Sequence, residues 1–219
     1  MTDAAQLGHA KREHVTELVY VGDPMCSWCW GFAPVLDRLS ERFELPVRTI
    51  VGGLRPGPDA RALDDELRAF LRDEWPTIAA RTGQPFDLAF LDRDTFLYDT
   101  ELPAIAVVIV RALVPERTLE YFTAIQRSFY AEGVDVTDPA ELARLAETVG
   151  ADDGEFRKQM ASVAAKDRAW QDFASARELG TSAFPTLFAR VGTRLVLITQ
   201  GYVSFESVEK PLADWLATG

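Results

Sequence analysis

The stretch TELVYVGDPMCSWCWGFAPVLDRLSERF, residues 16–43, constrains the fold more than any other part of this 219-residue chain. TELVYV is rich in β-branched and aromatic residues and runs into Gly22, Asp23 and Pro24, which is the pattern of a strand and its exit turn. From Phe32 onward the apolar positions Phe32, Val35, Leu36, Leu39 and Phe43 fall three and four residues apart, one stripe of an amphipathic helix facing a sheet. Between strand and helix lie Cys26 and Cys29, the only two cysteines of the chain. Cys26 is therefore placed at the N-terminal end of the helix. There, unpaired backbone N–H groups and the positive end of the helix dipole favour a thiolate.

Four uses of such a pair can be weighed. A structural zinc site needs four ligands, and His9 and His14 sit in a polar N-terminal segment away from the cysteines; no metal is expected. A Cys26–Cys29 disulfide as a staple would close a very short loop and stabilise little, and a reducing cytosol would oppose it. Free cysteines are often small core residues, yet this pair is three apart at a strand-to-helix junction. Redox chemistry explains the spacing best.

Strand, C-x-x-C and helix, with Pro34 five residues after the second cysteine, resemble the thioredoxin-fold oxidoreductases. The fuller string DPMCSWCWGF resembles the DsbA superfamily, in particular its FrnE-like branch of predicted cytosolic protein-disulfide isomerases. The resemblance implies Cys26 as nucleophile and Cys29 as resolving thiol. It also implies a cis-proline opposite them, which GTSAFPTLFARVG supplies at Pro185. The backbone of Phe184 would then pair with an extended substrate as an added strand does. Met25, Ser27 and Trp28 would lie beside the thiols as substrate contacts, with Trp28 facing outward and Trp30 more buried. Ser27 is placed to donate to the Cys26 thiolate. Asp23 is either a proton acceptor for Cys29 through water or an ordinary turn residue. In FLYDTELPA, Thr100 and Glu101 either reach the substrate or form a helix cap with its acid.

The expected fold class is α/β: a thioredoxin-like fold with a mixed central sheet and an α-helical insertion, DsbA-like. LPVRTIVGG reads as a second strand, and TLFARV with RLVLITQ as a hairpin about Gly192-Thr193. Helical patterns fill the middle: DARALDDELRAFLRDEW, LPAIAVVIVRALV, TLEYFTAIQRSFYAEG, DPAELARLAETVG after an Asp138 cap, and GEFRKQMASVAAKDRAWQDFASARELG as one helix. SFESVEKPLADWLATG closes the chain. The expected organisation is a flexible segment 1–14, a thioredoxin-like part from 15–56 and 174–219, and an insertion over 57–173. Pro34 is expected to kink the first helix.

A formal net charge of -11 opposes binding to nucleic acid or to anionic membranes. No apolar run approaches the roughly 20 residues of a membrane span, and the charged N-terminus lacks a signal-peptide core. The expected location is the cytoplasm. The dipeptide between the cysteines is Ser27-Trp28, where the strongly oxidising DsbA type has Pro-His, so a reductase or isomerase fits better than a powerful oxidant. With no second cysteine pair to relay electrons, turnover needs an external thiol reductant such as glutathione; no other cofactor is expected. Partners would be protein or small-molecule disulfides. Two alternatives remain: a glutathione-dependent transferase or isomerase of the kappa-class or 2-hydroxychromene-2-carboxylate isomerase kind, whose first active position is typically serine, and a non-enzymatic chaperone that holds clients on the helical insertion.

Overall fold

The computed structural model describes residues 15–218, so the segment 1–14, with His9 and His14, lies outside the described residues. Strand β1 (Val15–Gly22) forms the centre of a four-stranded mixed sheet. It pairs in parallel with β2 (Val47–Val51) on one side and antiparallel with β5 (Thr186–Val191) on the other, with β6 (Arg194–Gln200) completing the order β2-β1-β5-β6. Its alternating residues serve two cores. Leu18 and Tyr20 pack with helix α1 (Ser27–Phe43), while Val19 and Val21 pack with Ile50, Phe188 and Ala176 on the opposite face. Both faces of the sheet are thus covered, which is why Leu18 to Val21 are all buried.

Between β2 and β5 the chain leaves the sheet for six helices. Helix α2 (Asp65–Thr82) starts where the Asp64 carboxylate accepts the Leu67 N–H at 2.8 Å and stops at Gly83, whose φ of 76° suits glycine. Helix α3 (Glu101–Leu113) carries the longest apolar run, and Pro103 to Val110 are all buried, so this run is the spine of the helical layer. Helices α4 (Thr118–Tyr130) and α5 (Pro139–Thr148) follow, the latter capped by Asp138 as its sequence predicts. The single helix expected from residue 154 onward is instead two. Helix α6 (Asp153–Met160) ends before Ser162, whose hydroxyl accepts the Ala165 N–H and so starts α7 (Val163–Glu178). A competing serine cap broke a periodicity that looked continuous.

Two short strands, β3 (Arg61–Ala62) and β4 (Leu97–Tyr98), pair antiparallel outside the main sheet and have no counterpart in the sequence reading. They bring both ends of the α2 region together. Arg111 of α3 forms a two-bond ion pair with Asp172 of α7, and these two side chains also bond Thr49 O and Val51 N–H of β2. The free edge of β2 is thereby covered, which answers the unpaired groups that an edge strand exposes. Helix α8 (Phe205–Thr218) packs Val208 and Leu212 inward, and α1 continues through Pro34. No helix among the described residues is long and apolar enough to cross a membrane.

Candidate active site

Strand β1 ends at Gly22, and the turn Asp23–Cys26 is closed by Cys26 N–H bonding Asp23 O at 3.0 Å. Cys26 is the N-cap of α1, with extended backbone, and its carbonyl accepts Trp30 N–H. Both cysteines are free thiols. They differ in access: Cys26 retains 7% exposure and Cys29 none. The Phe184–Pro185 peptide bond is cis, and Phe184 O accepts the Cys26 thiol at 3.9 Å. Phe184 is half-buried with its ring lying on Gly52, where a Cβ would come within 2.2 Å of it. Gly201 N–H bonds Pro185 O at 2.7 Å and ties the same loop to the chain after β6.

Asp23 is fully buried. Its two carboxylate oxygens accept Met25 N–H and Leu54 N–H, each at 2.8 Å, and so clamp the cysteine turn to the loop after β2. Burial pushes its pKa up to about 6, against the pull of those two N–H groups, the Thr100 hydroxyl and the Arg55 charge. Burial also pushes the Cys29 thiol well up, and the hydrogen bond and charge of neighbouring Cys26 add to this. The Tyr20 hydroxyl and the backbone of Asp23 act in the other direction.

The structure places the residues singled out from sequence in different settings. Ser27 and Trp28 are half-buried beside Cys26, and Trp30 is buried with its indole N–H on Pro85 O, as helical spacing predicts. Met25, expected beside the substrate, instead has its side chain wholly in the core; its carbonyl accepts the Tyr98 hydroxyl at 2.6 Å. Thr100 is likewise buried. Its hydroxyl accepts Arg55 N–H at 3.1 Å and supports Asp23, so it braces the site from inside and makes no side-chain cap. The cap comes from Asp99, which accepts both Glu101 N–H and Gly57 N–H. Glu101 is held by Trp170 Nε1 at 2.7 Å and by Lys166, with little surface left for a ligand.

Several contributors were not singled out from sequence. Tyr98 donates to Met25 O, so in its 3.1 Å contact with Tyr130 it is the Tyr130 hydroxyl that donates. Tyr98 and Tyr130 belong to a packed aromatic group with Trp75 and Phe129 that fixes the cysteine turn from the helical side. The Tyr20 phenol lies across the Cα of Gly22, where a Cβ would come within 2.5 Å of it, and its hydroxyl lowers the Cys29 pKa. The signal for this was an aromatic two residues before a glycine on one face of β1. Among the described residues, no three His, Cys, Asp or Glu side chains converge as a metal would require.

A model of the DSBA-like thioredoxin domain matches residues 17–212, nearly the whole chain, and takes in both cysteines and the cis-proline. The chain belongs to this DSBA-like thioredoxin family. A candidate protein disulfide isomerase from Nitrosomonas europaea shares 37% identity, with a TM-score of 0.83 over 92% of this chain and 97% of that one. The cytosolic disulfide reductase DsbM from Pseudomonas aeruginosa, solved also with GSH, shares 27% identity with a TM-score of 0.71, over 92% of this chain and 96% of that one. The ClpXP adapter protein SpxH of Bacillus subtilis is 26% identical over 182 residues, 82% of this chain. This DSBA-like chain spans only 59% of that relative's length.

Proposed function

We propose that this protein is a cytoplasmic thiol–disulfide oxidoreductase, working as a reductase or isomerase, in which Cys26 attacks and Cys29 resolves. The observation that carries this reading is the unequal access of the two thiols, 7% against none, one helical turn apart on α1. A partner sulfur can approach only Cys26. In the reductive direction, Cys26 thiolate attacks one sulfur of a disulfide, that S–S bond breaks, and the departing thiolate takes up a proton. Cys29 then gives up its proton, attacks the Cys26 sulfur and releases the second thiolate. The substrate has gained two electrons and the enzyme holds a disulfide. Two equivalents of a low-molecular-weight thiol such as glutathione, which is found with DsbM, reverse both steps and leave as their own disulfide.

The surroundings fit this sequence of events. While Cys26 is a thiolate or thiol it holds the Cys29 pKa up; once Cys26 is tied in a mixed disulfide, that influence disappears and the Tyr20 hydroxyl and Asp23 backbone favour the Cys29 thiolate. Asp23, ionised above about pH 6, is the proposed acceptor for the Cys29 proton. Phe184, next to Pro185, offers backbone for an extended substrate, with Ser27 and Trp28 alongside.

The test is a trapping experiment. Cys29→Ser incubated with oxidised glutathione accumulates one adduct on Cys26, seen by mass spectrometry, whereas Cys26→Ser accumulates none at Cys29. Equal labelling of both variants would remove the assigned order. The SpxH relatives favour a second reading, an adapter that binds a protein without redox turnover; in that case client binding would survive replacement of both cysteines by serine.

A further inference from the structure

The face of α1 that borders Cys26 carries an arrangement that disulfide exchange as such does not need. Trp28, between the cysteines, packs its ring against Tyr202 with centroids 5.5 Å apart. Tyr202 directly follows Gly201, the residue bonded to Pro185 O. The two rings therefore bridge the cysteine side and the cis-proline side of the site, alongside its one accessible sulfur. Arg81, exposed in the last turn of α2, holds its guanidinium carbon 5.5 Å from the Trp28 ring and 5.3 Å from the Tyr202 ring.

The charge of Arg81 is uncommitted. It forms no ion pair among the described residues, whereas Arg55, the other arginine near the site, lies over Tyr98 and its charge falls on Asp23. The Glu74 carboxylate of α2 accepts Trp28 Nε1 at 2.9 Å, a bond that fixes the indole. A guanidinium set over aromatic rings keeps in-plane N–H groups for a carboxylate, which it can bind in a bidentate manner. In a chain of net charge -11, an arginine beside the site that forms no ion pair among the described residues repays explanation.

We propose that Trp28, Tyr202 and Arg81 form a subsite for a carboxylate carried close to the reacting sulfur, so that the preferred partner is a small anionic thiol or its disulfide, of the carboxylated-peptide class. The inference rests on the exchange reading above. The rings take the apolar backbone of the ligand and Arg81 its carboxylate, which brings the sulfur of a short molecule to Cys26.

The test measures the second-order rate at which reduced protein is oxidised by three disulfides of different charge: oxidised glutathione (anionic), hydroxyethyl disulfide (neutral) and cystamine (cationic). Each rate is divided by that of free dithiothreitol with the same disulfide, which cancels intrinsic reactivity. The wild type is expected to favour oxidised glutathione. Arg81→Glu is expected to lower that rate about tenfold, the scale of one lost charge-assisted contact. It should leave hydroxyethyl disulfide within about twofold and speed cystamine, while Arg81→Lys, which keeps the charge but loses the bidentate fork, should fall between wild type and Arg81→Glu with oxidised glutathione; added salt should shrink the differences. If Arg81→Glu changes all three rates alike, or none, the subsite is refuted while exchange stands. If wild type reacts with none of the three, the exchange reading itself falls, and the subsite with it.

Discussion

Asp23 makes the most quantitative claim of the structure, because a carboxyl with a pKa raised to about 6 must leave a mark on stability. The ordinary aspartate value is about 3.9. Between these two values the native state binds up to one proton more than the unfolded chain. The stabilisation is thus fully present below the unfolded value and is lost as pH rises through about 6. At about 1.4 kcal/mol per unit, the full loss for this buried group is about 3 kcal/mol, of which about 2 kcal/mol falls between pH 4 and 7. Asp23→Asn cannot titrate. Its amide nitrogen would also face one of the two N–H donors that the carboxylate now accepts, from Met25 and Leu54, at a cost of about 1–3 kcal/mol. That cost is the same at every pH. Urea unfolding of both reduced proteins at intervals from pH 4 to 7 separates the two effects, since other titrating groups cancel in the difference. Relative to Asp23→Asn, wild type should be about 2 kcal/mol more stable at pH 4 than it is at pH 7. Curves that stay parallel across this range would refute the raised pKa, and with it Asp23 as a proton acceptor that switches near pH 6.

Tyr20→Phe removes the hydroxyl that favours the Cys29 thiolate. The first attack by Cys26 should keep its rate, and resolution of a preformed Cys26–glutathione adduct should slow about three- to tenfold at pH 7, since one pKa unit is tenfold in thiolate; equal slowing of both steps would contradict the assignment. Arg111→Ala leaves Asp172 without its two-bond partner at the edge of β2. Breaking a buried pair costs about 3–5 kcal/mol, and discounting for the 27% and 15% exposure of these side chains gives about 2 kcal/mol. The urea midpoint should fall accordingly, while the rate of Cys26 labelling stays unchanged.

The parts of this fold that the sequence made readable are those set by local physics. The β1–turn–α1 unit, the β5–β6 hairpin at Gly192-Thr193 and the Asp138 cap depend on residues within a few positions of one another. Where two local signals competed, as at Ser162, periodicity won the reading and the cap won the structure. The short β3–β4 ladder had too few residues to show alternation. In the site, Cys26 and Cys29 announce themselves by spacing and setting, while Pro185 was located through the family resemblance that this pair suggests. Thr100 and Glu101 were picked out on resemblance, yet their side chains turn to Arg55 and Asp23 in one case and to Trp170 and Lys166 in the other. Such contacts join residues tens of positions apart, and no periodicity encodes them.

The division of labour between sheet and helices follows from the same contacts. The sheet and α1 supply the sulfurs and the cis-proline loop, a geometry common to many disulfide-exchanging proteins. The rest of the site comes largely from outside the sheet: Arg55 and Leu54 from the loop after β2, Glu74 and Arg81 from α2, Tyr98 and Thr100 from the β4–α3 segment. Substitutions in these segments can therefore change the choice of partner or the proton balance while leaving the dithiol in place. Arg81 and Asp23 separate the two effects cleanly. The first is exposed and lies over the Trp28 ring, so under the proposed subsite its replacement should alter selectivity at constant stability; the second is buried between two loops, so its replacement should alter stability and the pH dependence of resolution together.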